Sequence, residues 1–378
     1  MGTSALTTTQ RALTTTQRAL NERTKGNGKL SIESIESIES IELAIQQIDE
    51  GDGGAQIIHV SDPSCGLEAV IVLDSTVLGP AVGGTRTKSY SSIADAEHDA
   101  RALARAMTRK CAIAGLDAGG GKAVVLDHAG LDRTTAFATL GKVISSLKGR
   151  FRTAGDLGTT NEDLQVMAAH CPYVHLNESD LAAAVARGHI ACIEKVLGVS
   201  SLVGLTASVV GCGTIGTVIA NSLAKRGATL AVADIIEGRA AQLAVALGGR
   251  HVDVDTAMTL AVDILTPCAL GDVINEENVN SIQARIVCGG ANNILKDSAT
   301  ERQLIDSGTI WVPDEISSAG AVIEGIGETV MGLRDRGDRG TLIDGLGSRA
   351  QQVIEWARRD NLLPSQVVDD LVKRLISS

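Results

Sequence analysis

Lys110 and Lys122 stand twelve residues apart, and the second follows the run Gly119-Gly120-Gly121. A lysine beside another cation and away from water can lose its proton near neutral pH. Such a pair supplies one ammonium to hold an anion and one amine to act as a base. The glycines let backbone and ligand come close. The competing reading is two solvated lysines beside a flexible glycine turn.

Two further segments carry groups of the right kind. Asp156 lies in Gly155-Asp156-Leu157-Gly158-Thr159-Thr160, at the expected end of a strand. An acid there can relay a proton beside a lysine base; the alternative is a turn or helix-capping aspartate. Asn292 and Asn293 follow an apolar strand in Gly289-Gly290-Ala291-Asn292-Asn293. Amides on a loop after such a strand face a cofactor crevice and can bind a carboxylate or a nicotinamide ribose. The alternative is an Asn-rich turn.

A dinucleotide fingerprint lies between these segments. Gly211-Cys212-Gly213-Thr214-Ile215-Gly216 follows an apolar strand and opens a helix, and the next strand ends in Asp234. The glycines permit a tight turn and backbone contact with a pyrophosphate, and the helix N-terminus adds positive potential. Asp234, 18 residues after Gly216, can accept from both ribose hydroxyls and would repel a 2′-phosphate. NAD is therefore favoured; Arg239, five residues on, keeps NADP open.

The elements that must position these groups are legible in outline. Residues 69–73 and 123–126 read as buried strands, and 79–84 as a turn. Helices are expected at 92–107, 134–147, 161–169 and 182–196. From residue 201 strands and helices alternate: strands at 201–210, 229–233, 264–265 and 286–287, helices at 214–226 and 239–247. That alternation predicts a doubly wound parallel sheet. A last amphipathic helical region, 351–376, should pack back on the first domain or on a partner.

Length and composition bound the rest. A chain of 378 residues accommodates two domains, and 44% apolar with 21% charged residues suits a globular protein. Aromatics make up 2%, so the core rests on Ala, Val, Leu and Ile. A net charge of −11 argues against nucleic-acid binding and against anionic membranes. The seven cysteines form no CxxC pair and no metal-ligand array, so buried thiols in a reducing compartment are expected and no metal site is. No apolar run approaches the length of a membrane span. The N-terminus repeats TTTQRAL and then Ser-Ile-Glu, which predicts a low-complexity tail over 1–43. Its basic, Thr-rich start leaves an organellar transit peptide open against a cytoplasmic location.

Taken in order, these motifs resemble the Glu/Leu/Phe/Val dehydrogenase family, in particular its leucine, valine and phenylalanine branch. The carrying segments are residues 74–86 (DSTVLGPAVGGTR), 107–122, 155–160 and 211–216, Pro267-Cys268-Ala269-Leu270-Gly271, Ala291-Asn292-Asn293 and Pro313-Asp314. The resemblance implies NAD-dependent oxidative deamination of an L-amino acid to a 2-oxo acid and ammonia, and the reverse. In that reading Lys110 pairs with the substrate carboxylate, Lys122 activates water, and Asp156 shuttles protons. Gly83 and Gly84 line the substrate pocket, and Asn292 and Asn293 help hold substrate and cofactor. Thr160, Cys268 and Ala269 join Gly211, Gly213, Thr214, Ile215, Gly216 and Asp234 as cofactor-binding residues. A homo-oligomer is implied.

Three positions depart from the family pattern. Arg109 replaces an aromatic before the first lysine. The loop entering the nucleotide domain is the acidic Asn177-Glu178-Ser179-Asp180, and Ser318-Ala319-Gly320-Ala321 replaces an Asn-Ala-Gly-Gly turn. The expected architecture is a two-domain α/β protein. Residues 44–180 form a substrate and oligomerisation domain joined by 331–378, and residues 181–330 form a Rossmann-type NAD domain. The active site is the cleft between them. A small or branched aliphatic substrate comes first, since Val82 suggests an apolar pocket; an aromatic amino acid, then glutamate, follow. An inactive NAD-binding regulatory paralogue is the reading of a different class.

Overall fold

The computed structural model describes residues 42–47, 55–176, 181–269 and 271–377. Nearly all of the expected tail, the acidic 177–180 loop and Leu270 lie outside the described residues. The first sheet contains β1 (Glu42–Gln47), β2 (Gln56–Asp62), β3 (Leu67–Leu73), β4 (Ala81–Lys88), β5 (Gly119–Leu126) and β6 (Phe151–Gly155). Its order is β1-β2-β3-β5-β4-β6, with β4 parallel to both of its neighbours. The second sheet contains β7 (Thr206–Val210), β8 (Thr229–Ala233), β9 (Arg250–His251), β10 (Ile264–Pro267), β11 (Ile286–Cys288) and β12 (Ile310–Val312). It is parallel throughout, in the order β12-β11-β10-β7-β8-β9. The predicted two-domain α/β architecture with a doubly wound parallel sheet is what the chain adopts.

The helix Ile93–Ile113 lies on one face of the first sheet. Ser92 caps it by accepting from the Asp95 N–H, and Lys110 sits in its last turn, where a cation complements the helix dipole. Ala96, Ala100, Ala104 and Thr108 form a buried stripe of small residues at four-residue spacing. The helix therefore approaches β5 closely: a Cβ on Gly120 would stand 2.1 Å from the Thr108 nitrogen. Small-on-small packing of this kind gives a dense core with few aromatics. The other face is covered by the helices Arg133–Ser146 and Asn161–Ala168, around Phe137, Leu140, Phe151 and Met167.

The structure overturns two sequence readings. The Gly119–Gly121 run is neither a flexible turn nor a place of ligand approach. It is buried strand β5, where added side chains would strike the Ser75 carbonyl, the lysine helix and the Phe151 ring. Likewise the expected turn at 79–84 is largely strand β4; Gly83 and Gly84 lack the β-branched signature that marks strands, so the pattern hid it.

The C-terminal region is two helices, Arg336–Asp360 and Pro364–Ile376, beginning fifteen residues ahead of the expected start at 351. Asn361, at φ 53°, ends the first in the left-handed region, and Pro364 opens the second. The longer one packs on the helix Leu181–Leu197, where a Cβ on Gly347 would meet the Ala191 carbonyl oxygen at 2.4 Å.

Candidate active site

Lys122 lies in the middle of β5 and Asp156 directly follows β6, with β4 running between those strands. Lys122 Nζ is 2.5 Å from Asp156 Oδ2, and the lysine is 6% exposed. Gly84, on the intervening strand, makes room: its Cβ would stand 2.8 Å from the Asp156 Cβ. Asp156 Oδ2 also accepts from Arg86 Nε at 3.0 Å, and Arg86 Nη1 donates to Asp99 at 3.2 Å. Asp156 thus faces two cations and caps no helix; that task falls to Thr160.

Burial lowers the Lys122 pKa below the ordinary lysine value, although Asp156 pulls it back up. Burial pushes Asp156 up, but the Lys122 ammonium and its hydrogen bond win, and the carboxyl ends below its ordinary range. The pair therefore combines a depressed amine with an ionised carboxylate.

Lys110 is half-buried and donates to Asn292 Oδ1 at 2.7 Å and to Ser318 Oγ at 3.0 Å. An ammonium has three donors. Two are used among the described residues, which leaves one for an incoming anion. Burial lowers the Lys110 pKa, and Lys122 is near enough to push in the same direction. Asn293, at φ 53°, uses its N–H to donate to Asp314 Oδ2 at 2.8 Å. Burial, and then Glu315, raise Asp314 to about 6.

A cavity of about 340 Å³ reaches Gly84 and Gly155, the neighbours of Asp156, while Lys110, Lys122, Asp156 and Asn292 do not line it. Gly83, Gly84 and Gly155 border it; Val82, Met107, Ala154, Leu181, Val322 and Ile326 supply apolar wall, and Arg152, Tyr173 and Thr329 supply polar wall. Arg152 donates to the Thr329 carbonyl at 2.8 Å and lies over the Tyr173 ring.

The fingerprint occupies the topological switch point of the second sheet, where β7 is flanked by β8 and β10. Gly211, at φ 101°, makes the turn after β7, and a Cβ on Gly216 would stand 1.8 Å from the Gly211 oxygen. Gly213 caps the helix Thr214–Lys225 without a side-chain bond, and a Cβ there would meet nothing within 4 Å. Thr214 is exposed and Ile215 half-buried in the first turn. Cys268 and Ala269, after β10, lie against Gly211. Asp234 accepts from the Cys212 N–H at 2.6 Å and the Ile236 N–H at 2.8 Å, and sits 3.5 Å from Arg239. Burial raises its pKa, but these partners prevail and hold it low.

Thr160 follows β6 of the first sheet. Its hydroxyl accepts from the Asp163 N–H at the start of the helix Asn161–Ala168. Among the residues given no role from sequence, Arg86, Asp99, Asp314 and Ser318 join the network. Arg86 and Asp314 lie inside recognised segments, but their partners are 70 and 21 residues away. Spacing gave no signal for such pairings.

Residues 55–173 match the family described as Glu/Leu/Phe/Val dehydrogenase, dimerisation domain. Residues 237–336 match Glutamate/Leucine/Phenylalanine/Valine dehydrogenase. A leucine dehydrogenase of Thermoactinomyces intermedius is 35% identical over 326 residues, covering 83% of this chain and 88% of that protein. The chain belongs to the Glu/Leu/Phe/Val dehydrogenase family. A valine dehydrogenase of Streptomyces coelicolor is 36% identical over 294 residues, covering 73% of this chain and 79% of the relative. The crystal structure of L-tryptophan dehydrogenase from Nostoc punctiforme superposes with a TM-score of 0.77 at 28% identity, covering 85% of this chain and 95% of that one. Membership makes this chain an amino acid dehydrogenase, an oxidoreductase of CH–NH2 donors in an NAD(P)-dependent family. Among the described residues no helix is long and apolar enough to cross a membrane.

Proposed function

We propose that this member of the Glu/Leu/Phe/Val dehydrogenase family carries out the NAD-dependent oxidative deamination of a small or branched aliphatic L-amino acid, and the reverse reductive amination. The observation that carries the reading is the Lys122–Asp156 contact, with a largely apolar cavity reached through the neighbouring Gly84 and Gly155. An aliphatic side chain fills such a space while its α-carbon stays near the paired groups.

Lys110 holds the substrate carboxylate through its remaining donor, and Asn292 and Ser318 orient the ammonium. Neutral Lys122 removes a proton from the water that adds to the substrate's imine carbon. Asp156 relays protons over the short contact between Lys122 and the substrate nitrogen, which leaves as ammonia when the C–N bond breaks, and it keeps Lys122 in place. Arg86 balances the Asp156 charge. Gly213 leaves the first N–H groups of its helix open, and Gly211 and Gly216 let strand and helix meet closely; this suits a pyrophosphate. Bound NAD would supply the hydride acceptor for the α-carbon. Asn292, Cys268, Ala269 and Thr160 would complete its surroundings, and the Asp234 carboxylate disfavours a 2′-phosphate. We assign 44–180 with 331–378 to the substrate domain and 181–330 to the NAD domain, with closure excluding water. A homo-oligomer built through the first domain completes the proposal.

A second reading, an aromatic substrate, is favoured by the roomy cavity and the Tyr173 ring on its wall. A panel of L-amino acids assayed for NADH and NADPH formation separates the two. Leucine, valine or isoleucine should exceed phenylalanine, tryptophan and glutamate at least tenfold in kcat/KM, with NAD preferred. Tight NAD binding without turnover on any amino acid would overturn the enzymatic reading in favour of a regulatory one.

A further inference from the structure

We infer that Arg109 is a positioning residue: it fixes the 314–318 turn against Lys110 and so sets the geometry of the carboxylate-binding site. The inference rests on the proposed role of Lys110. Arg109 occupies a position where the family pattern has an aromatic, so its charge needs a use. The structure supplies one. Nε and Nη2 both donate to Glu315 Oε1, at 3.1 and 2.7 Å, and Nη1 donates to Asp369. The guanidinium and Glu315 are each 22% exposed, so solvent screens this contact only partly. One planar fork thus joins the end of the lysine helix, the short helix Asp314–Ser317 and the helix Pro364–Ile376.

The consequence follows from neighbours in sequence. Arg109 grips Glu315, and the next residue, Lys110, grips Ser318. Two consecutive side chains therefore hold opposite ends of one turn. Within that turn Asp314 accepts from the Asn293 N–H, and Ser318 Oγ lies 3.2 Å from Asn292 Oδ1. Asn292, whose Oδ1 orients Lys110, and the neighbouring Asn293 N–H are thus held in place through the turn that Arg109 anchors. A lysine at 109 keeps the charge but lacks the planar fork that meets Glu315 with two nitrogens.

The test compares Arg109→Ala, Arg109→Lys and Asp369→Asn in the full chain. Steady-state kinetics report KM for amino acid and for NAD, and hydrogen exchange of the unliganded protein reports residues 313–319. Arg109→Ala should raise the amino-acid KM at least tenfold, change NAD KM less than twofold, and speed exchange selectively in 313–319. Arg109→Lys should recover part of the loss. Asp369→Asn, at a half-exposed partner, should give a smaller shift of the same kind and serves if Arg109→Ala fails to fold. Unchanged KM and exchange would overturn the inference. A uniform loss of protection, or equal rises in both KM values, would reduce Arg109 to a structural residue and also overturn it. Absence of turnover in the parent protein would instead strike the proposed function, and the exchange measurement would still decide the anchoring of the turn.

Discussion

Lys122 and Asp156 meet across a strand that places nothing between them. They belong to β5 and to the residue after β6, and Gly84 stands on β4 between those strands. The 2.5 Å contact sits where a Cβ on Gly84 would crowd the Asp156 Cβ.

Replacing the amine tests the base directly. Lys122→Ala should lower kcat by about 10²–10⁴-fold, the usual worth of a positioned general base. NAD affinity, measured by calorimetry, should stay within twofold. Retained turnover would break the assignment.

The pH dependence follows from the direction of the lysine shift. Burial lowers Lys122 below 10.5, so the neutral amine accumulates earlier in the alkaline range than for a free lysine. The kcat/KM for deamination should rise with pH and level off at an apparent pKa below 10.5. Stability runs the same way. Asp156 is depressed below 3.8, so its contribution is present above that value and lost as pH falls through its folded pKa. Lys122 is depressed as well, so the folded state gains stability as pH rises from its folded pKa towards 10.5. Chemical denaturation across pH checks both signs, and the apparent values belong to the pair.

Gly84→Ala should separate the two groups. Its Cβ would stand 2.8 Å from both the Asp156 Cβ and the Gly155 oxygen, so strand or carboxylate must shift. A loss of about 1–3 kcal/mol in denaturant stability is expected, as for an overpacked core. Turnover should fall at least tenfold. Wild-type kinetics in this variant would show that the close fit has no bearing on the pair.

Lys110→Ala should act on binding first. Removing the ammonium that faces the substrate carboxylate should raise the amino-acid KM by about ten- to a hundredfold, in line with about 1.5–3 kcal/mol for a charged hydrogen bond. An unchanged KM would displace the carboxylate from this lysine.

Asp234→Ala should weaken NAD by about tenfold or more and narrow the preference over NADP, because it removes both a hydroxyl acceptor and a negative charge. The Gly211 loop should also loosen, since the carboxylate holds the Cys212 N–H. If NADP is already the better cofactor in the parent protein, the reading of this acid is wrong.

Much of this was legible in the chain itself. The second sheet announced itself through alternating strands and helices, and the fingerprint through strand, glycines, helix and acid in the right order. Those signals are local, because periodicity and turn chemistry are read within a few residues. Strand β4 escaped for the opposite reason: its glycines suit the packing around it and contradict strand propensity. The break at Asn361 was missed because a single left-handed residue leaves the amphipathic pattern almost undisturbed.

The amino-acid order alone settled the inventory: two lysines, an acid, paired amides, a glycine turn and the family whose pattern they follow. Folding settled who meets whom. Arg86 with Asp156, Arg109 with Glu315 and Asp369, and Lys110 with Ser318 join residues 70 to 260 positions apart. Such contacts, and the burial that depresses both lysines, arise when strands and helices stack into one volume, so no window along the chain contains them.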